Sequence, residues 1–330
     1  MTSIQIKAVD IYHPKKVVEN QFFIDHFRKQ NKEITRFLEV MGRDKRYIID
    51  DPKENGLTMG LEASKRVLNK TGLNGSDIDM IVFSTQTPEY TFPTNAMLIH
   101  QAIQGNSKTI CLDSNSNCAG MVVAVEQTCR YMMGNPQVKY ALVIGSDYSS
   151  INCNPNDEIT YSNYGDASSA VILEKVEGKV GFIDSHYYSD SSEAKNVLFP
   201  AVGLSNIYND DIQHSDVHIK WIPFDGTCCV KPAVGAMKEM MDKHNLIKKD
   251  IGAYCFSQFS YKNIELIQEE LQENLDKMIY IGDEFGYTGT SSPFLALYRG
   301  IEQGRIKRGD HVFFWSVGTG WQICTMLFKF

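Results

Sequence analysis

A cysteine at a turn between a strand and a helix is the residue of this 330-residue sequence best suited to covalent chemistry. Residues 109–113 have the apolar pattern of a buried strand, 114–117 form a polar turn, and 119–132 have the pattern of a helix with apolar first turns. Cys118 therefore precedes a helix N-terminus, where the helix dipole and unpaired N–H groups favour the thiolate. The next two residues are small, which leaves room for a carbonyl group. The sequence predicts a nucleophile that accepts an acyl group, with a thiol pKa below about 8.5; the alternative is one more small core cysteine.

The composition indicates a globular protein with a large core, because 43% of the residues are hydrophobic. The N-terminus has no signal pattern and no apolar run approaches the roughly 18 residues of a membrane span, so we expect a cytoplasmic protein without a membrane partner. A net charge of −7 argues against nucleic acid as a partner. The eight cysteines show no CxxC spacing, so we expect reduced thiols rather than a zinc site or a disulfide framework.

The chain contains an internal repeat. Residues 63–73 followed by 77–86 are matched without a gap by 236–246 followed by 250–258. Each copy reads as an amphipathic helix, a short turn and a β-branched or aromatic strand. A duplicated α/β unit explains the match; the alternative is the shared composition of any two helix–turn–strand units.

A second pair of strands, at 139–147 and 311–318, fits the same duplication. Alternating strands and helices indicate a layered α/β architecture. We place the boundary between the halves after a strand that ends near residue 175, which divides the chain into 1–175 and 176–330. Residues 186–225 have weak periodicity and many polar residues, so irregular loops are expected there.

Six motifs along the chain resemble a known family in their order and spacing. They are 113–121 (DSNSNCAGM), 145–147 (GSD), 164–171 (YGDASSAV), 250–251 (DI), 285–292 (FGYTGTSS) and 318–321 (GTGW). Over essentially the whole chain they resemble 3-oxoacyl-(acyl-carrier-protein) synthase III of the thiolase superfamily. The resemblance implies a thiolase-like fold, with two duplicated α/β halves in a layered αβαβα arrangement.

The resemblance fails at two of the three residues of the family's Cys-His-Asn triad. Cys118 matches the cysteine, whereas Ser257 and Tyr287 occupy the positions of the histidine and the asparagine. In the family these two residues stabilise the enolate that decarboxylation leaves, and neutral hydroxyl groups supply no base near neutral pH. Their loss lowers the rate by roughly a hundredfold or more, which disfavours decarboxylative condensation. His244 lies opposite Thr71 in the repeat alignment, so it does not replace the missing histidine.

Three positions concern the acyl donor. Arg36 and Val40 stand where the family's tryptophan and arginine hold the adenine of coenzyme A, which weakens adenine stacking. Lys262 stands where the family keeps a basic residue for docking acyl carrier protein, whose surface is acidic; the alternative is an ordinary solvated charge. Acyl carrier protein is thus the favoured donor over coenzyme A, and no permanently bound cofactor is expected.

The loop 86–94 resembles the family's dimer-interface segment. Phe92 would be the aromatic residue that reaches into the acyl pocket of the neighbouring subunit, which implies a dimer, either of identical chains or with a paralogue. Related thiolase-fold enzymes recruit a glutamate from this loop as a general base, and Glu89 is the candidate here. The alternative is a solvated loop carboxylate.

The favoured function is an acyltransferase in fatty acid-like or secondary-metabolite biosynthesis. It would load an acyl group on Cys118 as a thioester and pass it to an acceptor. The oxyanion hole would be formed by the Cys118 N–H and a backbone N–H of the 318–320 turn, at Thr319. Two alternatives stay open: a decarboxylating synthase III with a non-standard base such as Glu89, and a non-catalytic partner subunit of a heterodimeric condensing enzyme.

Overall fold

The structure is a computed structural model that describes residues 2–330. Its strands are β1 Thr2–Tyr12, β2 Lys16–Glu19, β3 Lys45–Ile48, β4 Met80–Ser84, β5 Ile110–Ser114, β6 Tyr140–Asp147, β7 Ala167–Glu177, β8 Gly181–Ser189, β9 Val197–Leu198, β10 Lys220–Trp221, β11 Ile251–Phe256, β12 His311–Gly318 and β13 Gln322–Lys329. Its helices are α1 Asn20–Arg28, α2 Thr35–Met41, α3 Gly56–Thr71, α4 Asn95–Ala102, α5 Gly120–Gly134, α6 Glu158–Tyr161, α7 Val230–Lys243, α8 Tyr261–Leu271, α9 Gly282–Phe285 and α10 Ser292–Glu302. Over residues 2–330, every helix is too short or too polar to span a bilayer.

Two main sheets have matching topology. The first sheet has the order β1-β7-β6-β4-β5 and the second has the order β8-β13-β12-β11. In both sheets the first strand is antiparallel to the second and the second is antiparallel to the third. The fourth strand then runs parallel to the third. Four strands of the first sheet therefore have counterparts of the same order and direction in the second, as a duplicated α/β fold requires.

The repeat is visible at single residues. Helix α3 is followed by Gly72 in the left-handed conformation, and α7 is followed, 173 positions after Gly72, by Asn245 in the same conformation. In each copy an aspartate, Asp77 or Asp250, then accepts a hydrogen bond from the backbone N–H three residues before it, at 2.8 and 2.9 Å. Each aspartate ends a short helical turn, and its strand begins within three residues of it. The predicted duplication is confirmed.

Helices cover both faces of each sheet and give five layers. Helices α3 and α4 pack on the outer face of the first sheet. Helices α7 and α8 pack on the outer face of the second. Helices α5 and α10 lie between the sheets in the largest apolar cluster. Because it is covered on both sides, α5 is apolar over most of its length, as the sequence predicts for the helix after the cysteine. The predicted αβαβα arrangement is confirmed.

Several local details differ from the sequence-based expectations. Strand β5 lies at the edge of the first sheet and is half-buried, so it is less covered than its apolar pattern suggests. Strand β8 continues to Ser189, into the region from 186 that was expected to be irregular. The rest of that region is mostly loop, but the short strands β9 and β10 pair through Val197 and Trp221. This small ribbon places both residues beside the cysteine.

Candidate active site

Residues from the second half of the chain hold the turn that carries the nucleophile. Cys118 lies between β5 and α5 and is 6% exposed. From β12, Ser316 Oγ donates to the Cys118 carbonyl oxygen at 2.8 Å. Thr290 Oγ1 accepts from the Met121 N–H at 2.6 Å, which satisfies one of the open N–H groups at the start of α5. The second half therefore positions the thiol as well as covering it.

Close packing around this turn requires glycine at position 120. A Cβ atom at Gly120 would lie 2.4 Å from Ser84 Oγ and 2.7 Å from Thr290 Oγ1. These two hydroxyl groups are themselves 3.1 Å apart in a hydrogen bond. A larger residue would push both hydroxyls away, and Thr290 would no longer hold the first turn of α5.

Burial controls the acidity of the thiol. Burial, with a smaller contribution from the nearby charge of Asp147, raises the pKa of Cys118 to about 11. Hydrogen bonds with Tyr287 and Gln86 lower the pKa of the thiol without offsetting the loss of water. The prediction of a thiol pKa below its ordinary value is therefore wrong for the free protein. The sequence places the cysteine at a helix N-terminus but does not show how completely the second half covers it.

A half-buried amide, paired with a buried carboxylate, lies next to the sulfur. Gln86 Nε2 is 3.7 Å from Cys118 Sγ and donates to Asp147 Oδ2 at 3.1 Å. The Gln86 backbone N–H and the Thr85 hydroxyl both donate to Asp147 Oδ1 at 2.9 Å. The Thr290 N–H donates to Asp147 Oδ2 at 3.0 Å. A fully satisfied carboxylate thus fixes the orientation of the amide that faces the thiol.

Sequence reasoning missed this pair, although a signal for it exists. Asp147 ends β6, Gln86 follows β4 and Cys118 follows β5. These three strands are parallel neighbours in the first sheet. Because the carboxyl ends of parallel strands meet at one edge, the residues that follow them form a common site. The sequence does not give the strand order, and without that order the pair could not be identified.

The two residues at the substituted triad positions lie together near the thiol. Ser257 Oγ and the Tyr287 hydroxyl are 3.4 Å apart, and both side chains are almost fully buried. Burial raises the pKa of Tyr287 well above its usual value, so its hydroxyl stays protonated and donates to the Cys118 sulfur. The Tyr287 ring contacts those of Tyr164 and Phe259, with centroids 5.4 and 5.2 Å away. Tyr164 and Phe259 are members of the site that sequence reasoning did not select.

Two cavities meet at Cys118. The aromatic cavity, of about 50 Å³, has walls formed mainly by Tyr164, Trp221, Phe224, Phe259, Tyr287 and Trp321. The second cavity, of about 120 Å³ and here called the polar cavity, has walls formed by Gln86, Thr87, Asn115, Asn117, Ser149, Asn152 and Thr319, together with Tyr164, Val197, Phe199 and Ile219. The aromatic cavity extends to half-buried residues such as Glu193 and Phe224, and so toward the surface.

Thr319 lies in the walls of both cavities, in the hairpin turn between β12 and β13. The preceding residue, Gly318, packs directly on the turn that carries the nucleophile. A Cβ atom at Gly318 would lie 3.0 Å from the Ser116 carbonyl oxygen and 3.2 Å from Asn117 Cβ. The hairpin backbone therefore lies against the backbone next to Cys118.

The structure does not bring Glu89 and Phe92 to the thiol within one subunit. Glu89 is exposed and lines a wider cavity of about 810 Å³, which adjoins the polar cavity through shared wall residues such as Gln86 and Asn115. Phe92 is 86% exposed. The walls of the aromatic and polar cavities contain neither residue.

The residues considered for the donor lie on α2 and α8. Lys262 is in the first turn of α8, pairs with Glu265 at 3.3 Å and retains 47% of its side-chain exposure. The next residue, Asn263, lines the aromatic cavity. Arg36 and Val40 are exposed on α2 and lie outside the walls of that cavity. Lys262 is thus an exposed basic residue next in sequence to a wall residue of the aromatic cavity, as is Lys220, which precedes Trp221.

His244 has a structural role away from the thiol. It follows α7, and its Nε2 lies 2.8 Å from Asp184 Oδ2 on β8. Lys243 Nζ contacts the same oxygen at 2.7 Å. His244 joins an outer helix to the edge strand of the second sheet and is not part of either cavity wall.

Comparison with known proteins identifies relatives along the whole chain. Family models described as 3-oxoacyl-[acyl-carrier-protein (ACP)] synthase III and as its C-terminal region match residues 112–191 and 241–330, together just over half of the chain. The beta-ketoacyl-[acyl-carrier-protein] synthase III of a Clostridium perfringens strain is 28% identical over 324 residues, 97% of each chain. That of Coxiella burnetii is 28% identical over 328 residues, also 97% of each chain.

Solved structures show the same fold. Synthase III from Thermus thermophilus superposes with a TM-score of 0.87 at 22% identity over 99% of each chain. Synthase III from Aquifex aeolicus gives a TM-score of 0.84 at 22% identity over 100% of each chain. A variant of OleA from Xanthomonas campestris gives a TM-score of 0.85 at 13% identity, over 99% of this chain and 98% of that one. With both halves matched and the layered fold present, the chain belongs to the 3-oxoacyl-(acyl-carrier-protein) synthase III family of the thiolase superfamily.

Proposed function

We propose that this protein is a cytoplasmic acyltransferase that carries the acyl group on Cys118. The observation that carries the proposal is the position of the sulfur at the junction of two cavities. The aromatic cavity would hold the arm of a donor thioester, and the polar cavity would hold the acyl group. A nucleophile between two such spaces has room for both parts of a thioester substrate.

In the first step, the Cys118 thiolate attacks the carbonyl carbon of the donor thioester. The new carbon–sulfur bond forms as the bond to the donor sulfur breaks, and the proton of Cys118 ends on the donor thiol. The Cys118 and Thr319 N–H groups would stabilise the oxyanion, which the packing of the 318–320 turn on the Cys118 turn supports. In the second step, an acceptor nucleophile attacks the acyl-cysteine and releases the thiol.

The groups beside the sulfur favour transfer over decarboxylative condensation. The Tyr287 hydroxyl and the Gln86 amide stabilise a thiolate, because both hydrogen-bond the sulfur and both lower the pKa of the thiol. Ser257 and Tyr287 offer only neutral hydroxyl groups for an enolate. Thioester exchange requires a thiolate and an oxyanion hole, whereas condensation also requires enolate stabilisation.

We propose acyl carrier protein as the donor and a dimer as the active assembly. The exposed Lys262, next to a residue of the aromatic cavity, supports docking of an acidic carrier at this face. The 86% exposure of Phe92 and the half-buried edge strand β5 support a subunit interface on the first sheet. A homodimer is the simplest assembly, and a heterodimer with a paralogue is the alternative. Sedimentation velocity distinguishes a monomer from either dimer.

The second candidate function is that of a non-catalytic partner subunit in a heterodimeric condensing enzyme. It is favoured because burial raises the pKa of Cys118 to about 11. A thiol of that acidity reacts slowly at neutral pH. Condensation with Glu89 as the base is a variant of the first proposal. It requires Glu89 to reach a thiol, either from the wider cavity that adjoins the polar cavity in its own subunit or across the dimer interface.

Intact-mass spectrometry after incubation with acetyl-, butanoyl- and malonyl-thioesters of carrier protein and of coenzyme A tests the proposal. The wild-type protein should gain one acyl mass, and Cys118→Ala should gain none. Cys228 is the exposed cysteine, so Cys228→Ala is the matched control and should still be acylated. Equal labelling of wild type and Cys118→Ala would contradict the proposal. Absence of labelling with every donor would favour the non-catalytic subunit.

A further inference from the structure

We propose that Arg43 is a positioning residue of the thiol site: its buried guanidinium ties together the segments that carry Ser257 and Tyr287, and so directs the Tyr287 hydroxyl onto the Cys118 sulfur. This role rests on the proposed function, because it concerns the reactivity of the same thiol. It is supported by four hydrogen bonds of the guanidinium, by the burial of the side chain and by the way in which the Tyr287 backbone is held.

Arg43 enters the interior of the protein directly after helix α2. Gly42 ends that helix in the left-handed conformation, with a φ of 70°, and the Arg43 N–H donates to the Leu38 carbonyl oxygen at 2.9 Å. Arg43 is only 2% exposed. Its side chain passes Gly282, the first residue of α9, so closely that a Cβ atom there would collide with Arg43 Nη1. Packing as well as bonding therefore fixes the guanidinium.

The guanidinium bonds two segments of the second half of the chain and one of the first. Arg43 Nη2 donates to the carbonyl oxygens of Gln258 and Phe259 at 2.6 and 2.7 Å. Arg43 Nε donates to Asn163 Oδ1 at 2.7 Å, and Nη1 donates to the Tyr280 hydroxyl oxygen at 3.0 Å. The planar fork of an arginine presents these donors in fixed directions, which the single ammonium group of a lysine does not reproduce.

The partners of this buried cation are all neutral. They are two backbone carbonyls, an amide oxygen and a hydroxyl. Burial of a charge without an opposite charge is unfavourable, and burial accordingly lowers the pKa of Arg43. A hydrophobic side chain is often at least as favourable in such a place. What the guanidinium adds is a set of directed bonds between segments that are distant in the sequence.

These bonds reach the segments of both residues at the substituted triad positions. Residues 258–259, whose carbonyls the guanidinium holds, directly follow Ser257. On the other side, the Asn163 carbonyl oxygen accepts from the Tyr287 N–H at 2.9 Å, and the Gly165 N–H donates to the Tyr287 carbonyl oxygen at 3.0 Å. The bond from Arg43 to the Asn163 side chain therefore fixes the bridge that holds Tyr287. One guanidinium thus sets the positions of both hydroxyl groups, which lie 3.4 Å apart beside the thiol.

A double-mutant cycle on the reactivity of the Cys118 thiol tests this role. The rate of alkylation by iodoacetamide at fixed pH is followed by mass spectrometry for wild type, Arg43→Lys, Tyr287→Phe and the double variant, all in a Cys228→Ala background. We expect Tyr287→Phe to slow alkylation about tenfold, because it removes a hydrogen bond that stabilises the thiolate. Arg43→Lys should slow it about fivefold, since lysine keeps the charge but not the directed bonds. In the Tyr287→Phe background the same change should slow it less than about twofold.

A second variant breaks the same connection at its other end. Asn163→Ala removes the acceptor of Arg43 Nε and should slow alkylation about threefold in the wild-type background and hardly at all in Tyr287→Phe. Tyr280→Phe is the matched control, because it removes another partner of the guanidinium. The Tyr280 hydroxyl otherwise bonds the Met41 carbonyl oxygen at 3.0 Å, at the end of α2, so this variant should react within about twofold of wild type.

The outcomes separate this role from the proposed function. Equal losses from Arg43→Lys in the wild-type and Tyr287→Phe backgrounds would overturn it, because Arg43 would then act on the fold in general rather than through Tyr287. Unchanged alkylation of Tyr287→Phe would also overturn it, since no hydroxyl would then act on the sulfur. If Arg43→Lys does not fold, the cycle with Asn163→Ala decides. Iodoacetamide needs no acyl donor, so failure of every thioester to acylate Cys118 would defeat the proposed function and leave this test standing.

Discussion

Gln86 Nε2 lies 3.7 Å from Cys118 Sγ and, from the same nitrogen, donates to Asp147 Oδ2 at 3.1 Å. The buried carboxylate therefore orients a polar amide toward a buried thiol. A histidine in such a position would act as a base, whereas an amide only donates or accepts a hydrogen bond. The Gln86 amide thus lowers the pKa of the thiol without a titrating partner, although burial keeps that pKa at about 11, and Gln86 should have a measurable effect on the thiol.

We predict that Gln86→Leu slows acylation of Cys118 by about tenfold. The substitution keeps most of the volume and removes a hydrogen bond that stabilises the thiolate, which is worth on the order of 1–1.5 kcal/mol. The rate of acyl-mass gain at fixed pH measures the effect. Gln101→Leu, at an exposed glutamine on α4, is the control and should react like wild type. Unchanged acylation of Gln86→Leu would show that the amide does not act on the sulfur.

We predict a steep dependence of thiol reactivity on pH. Because burial raises the pKa of Cys118 to about 11, the thiolate fraction rises roughly tenfold for each pH unit between 7 and 10. Alkylation of Cys118 by iodoacetamide, followed by mass spectrometry in a Cys228→Ala background, should show this increase without a plateau below about pH 10. A plateau near pH 8 would instead indicate that the helix N-terminus outweighs burial.

The sequence predicted the parts of the site that depend on local order. A strand, a polar turn and a helix place Cys118 wherever the rest of the chain lies, and helix α5 begins one residue from its predicted start. The hydrogen bond between Thr290 and the start of α5 joins segments 169 residues apart, so no local pattern contains it. The prediction of a low pKa for the Cys118 thiol was wrong for the same reason, because residues from the second half of the chain bury the thiol.

We predict that Ser257→His combined with Tyr287→Asn raises malonyl decarboxylation. These changes introduce a titrating base and an amide donor at positions that are in contact in the structure, with the two hydroxyl groups 3.4 Å apart. An increase of roughly a hundredfold is the scale expected for restored enolate stabilisation. Loss of malonyl-carrier protein, followed by mass spectrometry, is the measurement. Each single substitution is the control, because one group alone completes only half of the constellation. Rapid decarboxylation by the unaltered protein would show that another residue, with Glu89 the first candidate, supplies the base.

We predict that Lys262→Glu slows acylation by acyl carrier protein several-fold and leaves acylation by acyl-coenzyme A nearly unchanged. The exposed cation sits in the first turn of α8 beside a residue of the aromatic cavity, where an acidic carrier would dock. Lys65→Glu is the matched control. Lys65 pairs with Glu62 within α3 as Lys262 pairs with Glu265 within α8, but α3 covers the other outer face of the molecule. Since charge attraction is screened over a Debye length of about 10 Å at 0.1 M salt, the difference between wild type and Lys262→Glu should shrink as salt rises. Equal losses in Lys262→Glu and Lys65→Glu would reflect net charge rather than a docking site.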